Sequence, residues 1–439
     1  MISNKITAMA VCILCVLSAC SVQRDTRDSF SAVPNNESAG SSTEAAGHDT
    51  AREPSPSNNL IADLLSRGSD RLKNIIGNPG KYETRILYTQ VDRDRQGRPQ
   101  FRHFGYGADP KSYFNPASLV KLPVACLALQ KINELHIPGL TCDTRLAIGR
   151  QHRCQTAVTG DSTAPDGRPT VAQYIRKVLL VSDNDAYNRL YEFLGQEYIN
   201  ASLWRIGYPS ARIIRRFNGC DVDDNRYTNP VTFYDADGSV VYAQPSQVNN
   251  SLLSNPLGTV TKGKAYIDPQ GRYVPRPYDY TFHNYICLED IHTMLQSILF
   301  PESFPEQARF HLTQQDYALL YRCLSSLPGE SDVPAYHNPK LYPDNYKKYF
   351  LFGDARDGVI ADRCIRIFNV VGQSDGYLSD CAYIRNASAQ IEFFLSAVIY
   401  VNDDEIIKDN TYEYQTTGLP FLAELGRILY AYEQTRGHG

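Results

Sequence analysis

Ser118 and Lys121 stand three residues apart where an apolar run, Leu119 to Leu129, begins. The run predicts a helix, and that spacing places both side chains on one face, a turn apart, at its buried N-terminal end. A serine hydroxyl is a poor nucleophile until a neighbour takes its proton, and a lysine in a dry, crowded pocket is made acidic enough to do so. Free backbone N–H groups at a helix start favour developing negative charge, which makes the Ser118 N–H a natural oxyanion donor. A Ser-x-x-Lys spacing also arises by chance in a chain of 439 residues, so the pair needs a second cluster to carry weight.

That cluster is Val181-Ser182-Asp183-Asn184, in the middle of an otherwise helical pattern from Val171 to Phe193. Ser, Asp and Asn are poor helix-interior residues, and a break there exposes their side chains. Two readings stay open: a polar site, or a capped start with Ser182 or Asp183 as N-cap of a helix running to Leu194.

The elements that must position these residues follow from periodicity. Leu60 to Ile76 reads as one amphipathic helix ended by Gly77-Asn78-Pro79-Gly80. Thr84 to Val91 and Phe101 to Tyr106 read as a hairpin that delivers the chain to Ser118. Arg212 to about Asp290 is rich in Tyr, Asn, Pro and Gly and is expected to form irregular loops and short hairpins that either shape a substrate cleft or cover the sheet, the second being preferred because loops mostly pack. Leu288 to Phe300 and Thr313 to Leu324 read as helices, and Ser325 to Leu351 as loop. Three β-rich runs follow, Cys364 to Val371, Tyr377 to Arg385 and Gln390 to Val401, then a helix from Pro420 to about Glu433. The expected fold is α+β: a five-stranded antiparallel sheet flanked by helices, with an inserted, mostly helical lobe.

A net charge of -4 gives no case for nucleic acid. Lys5, an apolar run from Ile6 to Leu17 and then Leu17-Ser18-Ala19-Cys20 form a secretory signal with a cysteine at the cut. The segment resembles a bacterial lipoprotein signal, which implies cleavage after residue 19, lipidation of Cys20 and, with Ser21 next, an outer-membrane anchor facing the periplasm. Residues 20 to 58 are polar with almost no large apolar side chain, so burial cannot offset their ordering entropy; they read as a tether to a domain spanning 59 to 439. Beyond Cys20 the eight cysteines are Cys126, Cys142, Cys154, Cys220, Cys287, Cys323, Cys364 and Cys381. An even number in an exported chain permits disulfides, with Cys142–Cys154 the preferred pair across a short polar loop, and Cys126 and Cys381 as buried thiols. No Cys-x-x-Cys or His-Glu-x-x-His spacing occurs, so neither a metal nor a cofactor is implied.

With Ser118-Leu119-Val120-Lys121 and Ser182-Asp183-Asn184 both present, residues 59 to 439 resemble the class A β-lactamases and related penicillin-recognising serine hydrolases. Phe114-Asn115-Pro116-Ala117 and Leu122-Pro123-Val124 look like that family's nucleophile helix, and Gly372 to Ile384 like its inner and return strands. The resemblance implies that Ser118 attacks a β-lactam or a peptidoglycan-derived acyl group with Lys121 as base. It further implies that Ser182 relays a proton, Asn184 binds the substrate, and the strand at Gly372 and Gln373 supplies the second oxyanion donor. Two departures stand out. Val370-Val371-Gly372 replaces the family's Lys-Thr-Gly or Lys-Ser-Gly, and Arg366, about 13 Å up the strand, is too far to substitute directly. No deacylating glutamate is assigned either; Glu330 is the one loop carboxylate singled out, with a solvated surface turn as its alternative. The leading reading is therefore a lipid-anchored serine hydrolase, and the alternative an envelope protein that binds peptidoglycan fragments or a partner through the same cleft.

Overall fold

The computed structural model describes residues 58–437 apart from Arg153. The signal segment, Cys20 and the tether up to residue 57 lie outside the described residues.

Two helices open the domain, α1 (Asn58–Ser66) and α2 (Asp70–Gly77), where periodicity predicts one. The break has a local cause: Ser69 accepts from the Leu72 N–H, and its own N–H and hydroxyl both donate to Glu424. A cap with a tertiary partner outweighs the continuous apolar stripe. The hairpin follows as β1 (Arg85–Arg93) and β2 (Pro99–Tyr106).

The helical lobe comprises α3 (Lys121–Leu135), α4 (Val171–Leu180), α5 (Asn184–Leu194), α6 (Gln196–Arg205), α7 (Leu288–Leu299) and α8 (Gln314–Ser325). The chain then returns as β3 (Ile365–Ser374), β4 (Tyr377–Asn386) and β5 (Ile391–Tyr400), and closes with α9 (Leu419–Thr435). The main sheet is five-stranded and antiparallel, as the sequence predicts; its order is β3-β4-β5-β1-β2, with the meander joined to the hairpin through β5 and β1. Between α6 and α7 the polar middle forms short strands, among them Val231–Tyr234 paired with Val240–Gln244.

Period-two alternation explains the layers. On β5, Phe393, Leu395, Ala397 and Ile399 join the cluster under α1, α2 and α9. Phe394, Val398 and Tyr400 join the larger cluster shared with α3 to α8. A strand buried on both faces reads as an unbroken apolar run. Helix α3 is buried almost all round, with Leu122, Val124, Leu127 and Leu129 fully covered, each contributing roughly 1.5–3 kcal/mol. No helix among the described residues is long and apolar enough to cross a membrane.

The expected Cys142–Cys154 pairing is incorrect. Cys154 is bonded to Cys220 with a Cα–Cα separation of 5.6 Å, while Cys142 is a free thiol. Closeness in sequence misled here: Ile148 and Val158 bridge the base of the Cys154 loop, and that loop packs on the segment after α6. Cys126 and Cys381 are buried free thiols, as their apolar surroundings suggest.

The disulfide closes a loop of 66 residues, for which loop-entropy arguments give stabilisation of about 4 kcal/mol as an upper figure. Cys220→Ser should therefore lower the urea midpoint of unfolding without altering the native circular dichroism.

Candidate active site

Before α3 the chain makes a single 3-10 turn, Ala117–Val120, so Ser118 precedes the α-helix and Lys121 is its first residue. Ala117 sits at φ +44°, an uncommon region for a side chain with a Cβ. Asn115 holds it there by accepting the Ala117 N–H at 3.0 Å, and Asn115 in turn donates to Asp375 at 3.3 Å. Asp375, in the β3–β4 turn, also accepts from the Tyr280 hydroxyl at 2.9 Å and faces the Lys408 ammonium at 3.4 Å. Strain beside the nucleophile is thus held by a carboxylate that ties three distant segments together.

Residues 181–184 hold a helix cap and, beside it, a polar turn that faces Lys121. Asp183 caps α5 by accepting the Ala186 N–H at 2.8 Å. Ser182 lies outside the helix at φ +58°, and this conformation turns both its carbonyl and its hydroxyl toward Lys121.

Lys121 is fully buried. Its Nζ lies 2.8 Å from Ser118 Oγ, 2.5 Å from the Ser182 carbonyl, 3.0 Å from Ser182 Oγ and 2.7 Å from Asn184 Oδ1. Two of these four oxygens, the carbonyl and the amide oxygen, only accept. A neutral amine has two N–H donors and one lone pair, so donating to those two leaves the lone pair for a serine hydroxyl. A protonated amine donates its third hydrogen to Ser118 instead. The same four oxygens therefore serve the lysine before and after it takes a proton. Desolvation is the main cause that holds the Lys121 ammonium well below the usual lysine range; repulsion from Lys347 adds to it and Asp183 opposes it.

The Phe217 ring lies over Lys121, its centroid 5.0 Å from Nζ. Its N–H donates to Asn188, and its neighbour Arg216 pairs with Glu192 at 2.8 Å, both buried. Phe217 comes from the segment read as cover for the sheet; it covers Lys121 instead. Among the described residues no carboxylate reaches hydrogen-bonding distance of Lys121 Nζ.

On the opposite wall β3, an edge strand, passes the nucleophile turn. A Cβ on Gly372 would stand 2.6 Å from the Pro116 carbonyl oxygen and 2.6 Å from Ser379 Oγ, which is why a glycine occupies this point. Gln373 and Val371 line a cleft of about 1550 Å³ together with Ser118, Ser182 and Asn184. Val370, aligned with the missing strand lysine, packs instead with Leu119, Val120 and Leu122 in the core. Glu330 does not reach the cleft: it accepts the Leu327 N–H and pairs with Arg366 at 2.8 Å, which accounts for both residues as a surface bracket. No cluster of His, Cys, Asp or Glu among the described residues has the form of a metal site.

Residues 69–256 match the sequence profile of the β-lactamase enzyme family. Over that stretch the chain is similar to β-lactamases. The matched stretch contains Ser118, Lys121, Ser182 and Asn184 and ends before β3. No curated protein matches the chain significantly. Among solved structures it is similar to the β-lactamase of Desulfarculus baarsii at 14% identity and TM-score 0.45, covering 86% of this chain and 98% of that one. It is also similar to the Streptomyces albus G β-lactamase at 13% identity and TM-score 0.45, covering 83% and 99%, and to an ancestral class A β-lactamase at 15% and 0.43, covering 84% and 99%. In this chain the two polar motifs, Ser118 with Lys121 and Ser182 with Asn184, are in contact.

Gly372→Ala should force β3 away from the nucleophile turn. We expect a loss of about 1–3 kcal/mol in denaturant unfolding, together with slower modification of Ser118, because the added methyl meets backbone that cannot yield cheaply.

Proposed function

We propose that the protein is a serine acyl-transferring hydrolase that forms an acyl-enzyme on Ser118 with β-lactams or related cell-wall peptides or esters. The observation that carries this reading is the 2.8 Å contact between Lys121 Nζ and Ser118 Oγ inside a shell that leaves the amine lone pair free. Lys121 takes the Ser118 proton as Oγ attacks the carbonyl carbon. The N–H groups of Ser118 and Gln373 face the developing oxyanion. Ser182 passes the proton from Lys121 to the leaving nitrogen, and the C–N bond breaks. Because Asn184 Oδ1 is occupied by Lys121, its amide N–H₂ is the group left to donate to a substrate carbonyl. In a β-lactam the protonated nitrogen stays tethered to the opened acyl group, a peptide releases its nitrogen as an amine and an ester its oxygen as an alcohol; the acyl group stays on Ser118 until water removes it.

The ring of Phe217 over Lys121, with no carboxylate among the described residues within hydrogen-bonding distance of its Nζ, favours a slow last step. It also favours the second reading, a cleft that binds peptidoglycan fragments or a partner without turnover, as does the apolar Val370. With its lipid signal, the protein in either role would work at the periplasmic face of a membrane, anchored through Cys20.

Intact-protein mass after incubation of residues 59–439 with a penicillin and a cephalosporin tests the first reading. We expect an adduct that persists once free drug is removed, and none on Ser118→Ala; equal labelling of that variant overturns the mechanism. Lys121→Met should slow acylation about 10²–10⁴-fold. Since the base must be neutral, the wild-type acylation rate should be low in acid and rise through the Lys121 titration, on the acid side of an ordinary lysine.

A further inference from the structure

Residues 339–358, between α8 and β3, supply a long stretch of the cleft wall opposite Ser182. Lys347 and Lys348 in this loop are both buried. Lys348 closes the edge of the sheet: its Nζ donates to the Ile367 carbonyl at 2.7 Å, the Leu324 carbonyl at 2.8 Å and Asn369 Oδ1 at 2.8 Å. Lys347 reaches the other way. Its carbonyl accepts from Asn369 Nδ2 at 2.6 Å, while its Nζ donates to the Leu179 carbonyl at 2.5 Å. Leu179 is the second-last residue of α4, where carbonyls lack helical partners and the helix dipole is negative. Three residues later comes Ser182.

We propose that Lys347 is a positioning residue for the acyl transfer: its ammonium holds the α4 end from which the Ser182 turn departs and brings a positive charge to the cleft that Ser118 and Ser182 line. The assignment rests on the acyl-transfer reading above. Strand β3 has no cation facing the site, since Val370 is core and Arg366 is held by Glu330. A lysine from the neighbouring loop brings the charge to the same polar centre from a different element.

The groups that act on Lys347 are few. Burial brings it down to about 8, opposed by the Asp380 carboxyl on β4 and Cys323 on α8, so it still carries charge at neutral pH. Asp380, itself pushed up to about 7 by burial, accepts from Asn369 and the Phe350 N–H. Lys348 is depressed to about 7, mainly by burial and then by Lys347. Lys121 is acted on by Lys347 and, in the opposite sense, by Asp183.

The test compares Lys347→Gln, which keeps a donor for the Leu179 carbonyl but no charge, with Lys347→Met and Lys347→Arg. The Lys121 titration is followed by NMR in protein labelled at the lysine ε-carbon, and acylation is followed by mass. We expect the Lys121 midpoint to move to higher pH in the Gln and Met variants and to stay in the Arg variant. Acylation at neutral pH should fall about tenfold in step, one unit of midpoint being tenfold in free base. A midpoint unmoved in a folded Gln or Met variant overturns the inference, whatever the acylation. Wild type that titrates as expected but never acylates overturns the acyl-transfer reading and leaves the electrostatic role of Lys347 supported. Lys348→Met, which disturbs the loop without touching α4, should leave the midpoint in place; a shift as large as that in Lys347→Gln would show a general loosening and overturn the assignment.

Discussion

The structure depends on keeping one amine dry. An ammonium removed from water loses far more than its neighbours return unless each hydrogen meets an oxygen, and a neutral amine with unused donors is penalised as well. At Lys121 both conditions are met by four oxygens from three places: Ser118 ahead of α3, the Ser182 turn, and Asn184 at the start of α5. Each of these must hold its position to within a few tenths of an ångström. The left-handed Ser182, the strained Ala117 and the glycine at Gly372 are where the backbone yields to that requirement.

Rigid supports surround these points. Asp375 ties the nucleophile turn to the β3–β4 turn and to Tyr280. The segment carrying Phe217 is held on one side by the buried Arg216–Glu192 pair and on the other by Cys154–Cys220. Removing one member of a buried ion pair leaves an uncompensated charge, so such pairs fix a segment in place even where their net contribution to stability is small. An aromatic ring held in this way covers one side of Lys121.

Behind β3 a second set of buried charges gathers: Asn369 bridges Lys348 and Asp380 and also donates to the Lys347 backbone carbonyl, while the Lys347 ammonium turns to the Leu179 carbonyl. Lys348 covers carbonyls at the sheet edge and at the end of α8, which would otherwise be buried without partners. The exposed-edge problem of an open sheet and the electrostatics of the site are thus met by adjacent residues of one loop.

The sequence by itself determined the five antiparallel strands as a hairpin and a meander, and marked Ser118, Lys121, Ser182 and Asn184 as polar residues to be brought together. Those follow from local periodicity and from motifs whose members are close along the chain or lie on predictable helix ends. It also marked the break at residues 181–184 without deciding between cap and site, because a capping Asp183 and a displaced Ser182 obey the same local preferences. Only the tertiary structure decided the partner of Cys154, the break between α1 and α2, the aromatic cover of Lys121 and the place of Lys347. Each is a contact between segments far apart in the chain: Cys154 with Cys220, Ser69 with Glu424, Phe217 with Lys121, Lys347 with Leu179. Such contacts leave no period or spacing to read, since they are selected by burial and by unsatisfied polar groups that exist only once the layers have packed.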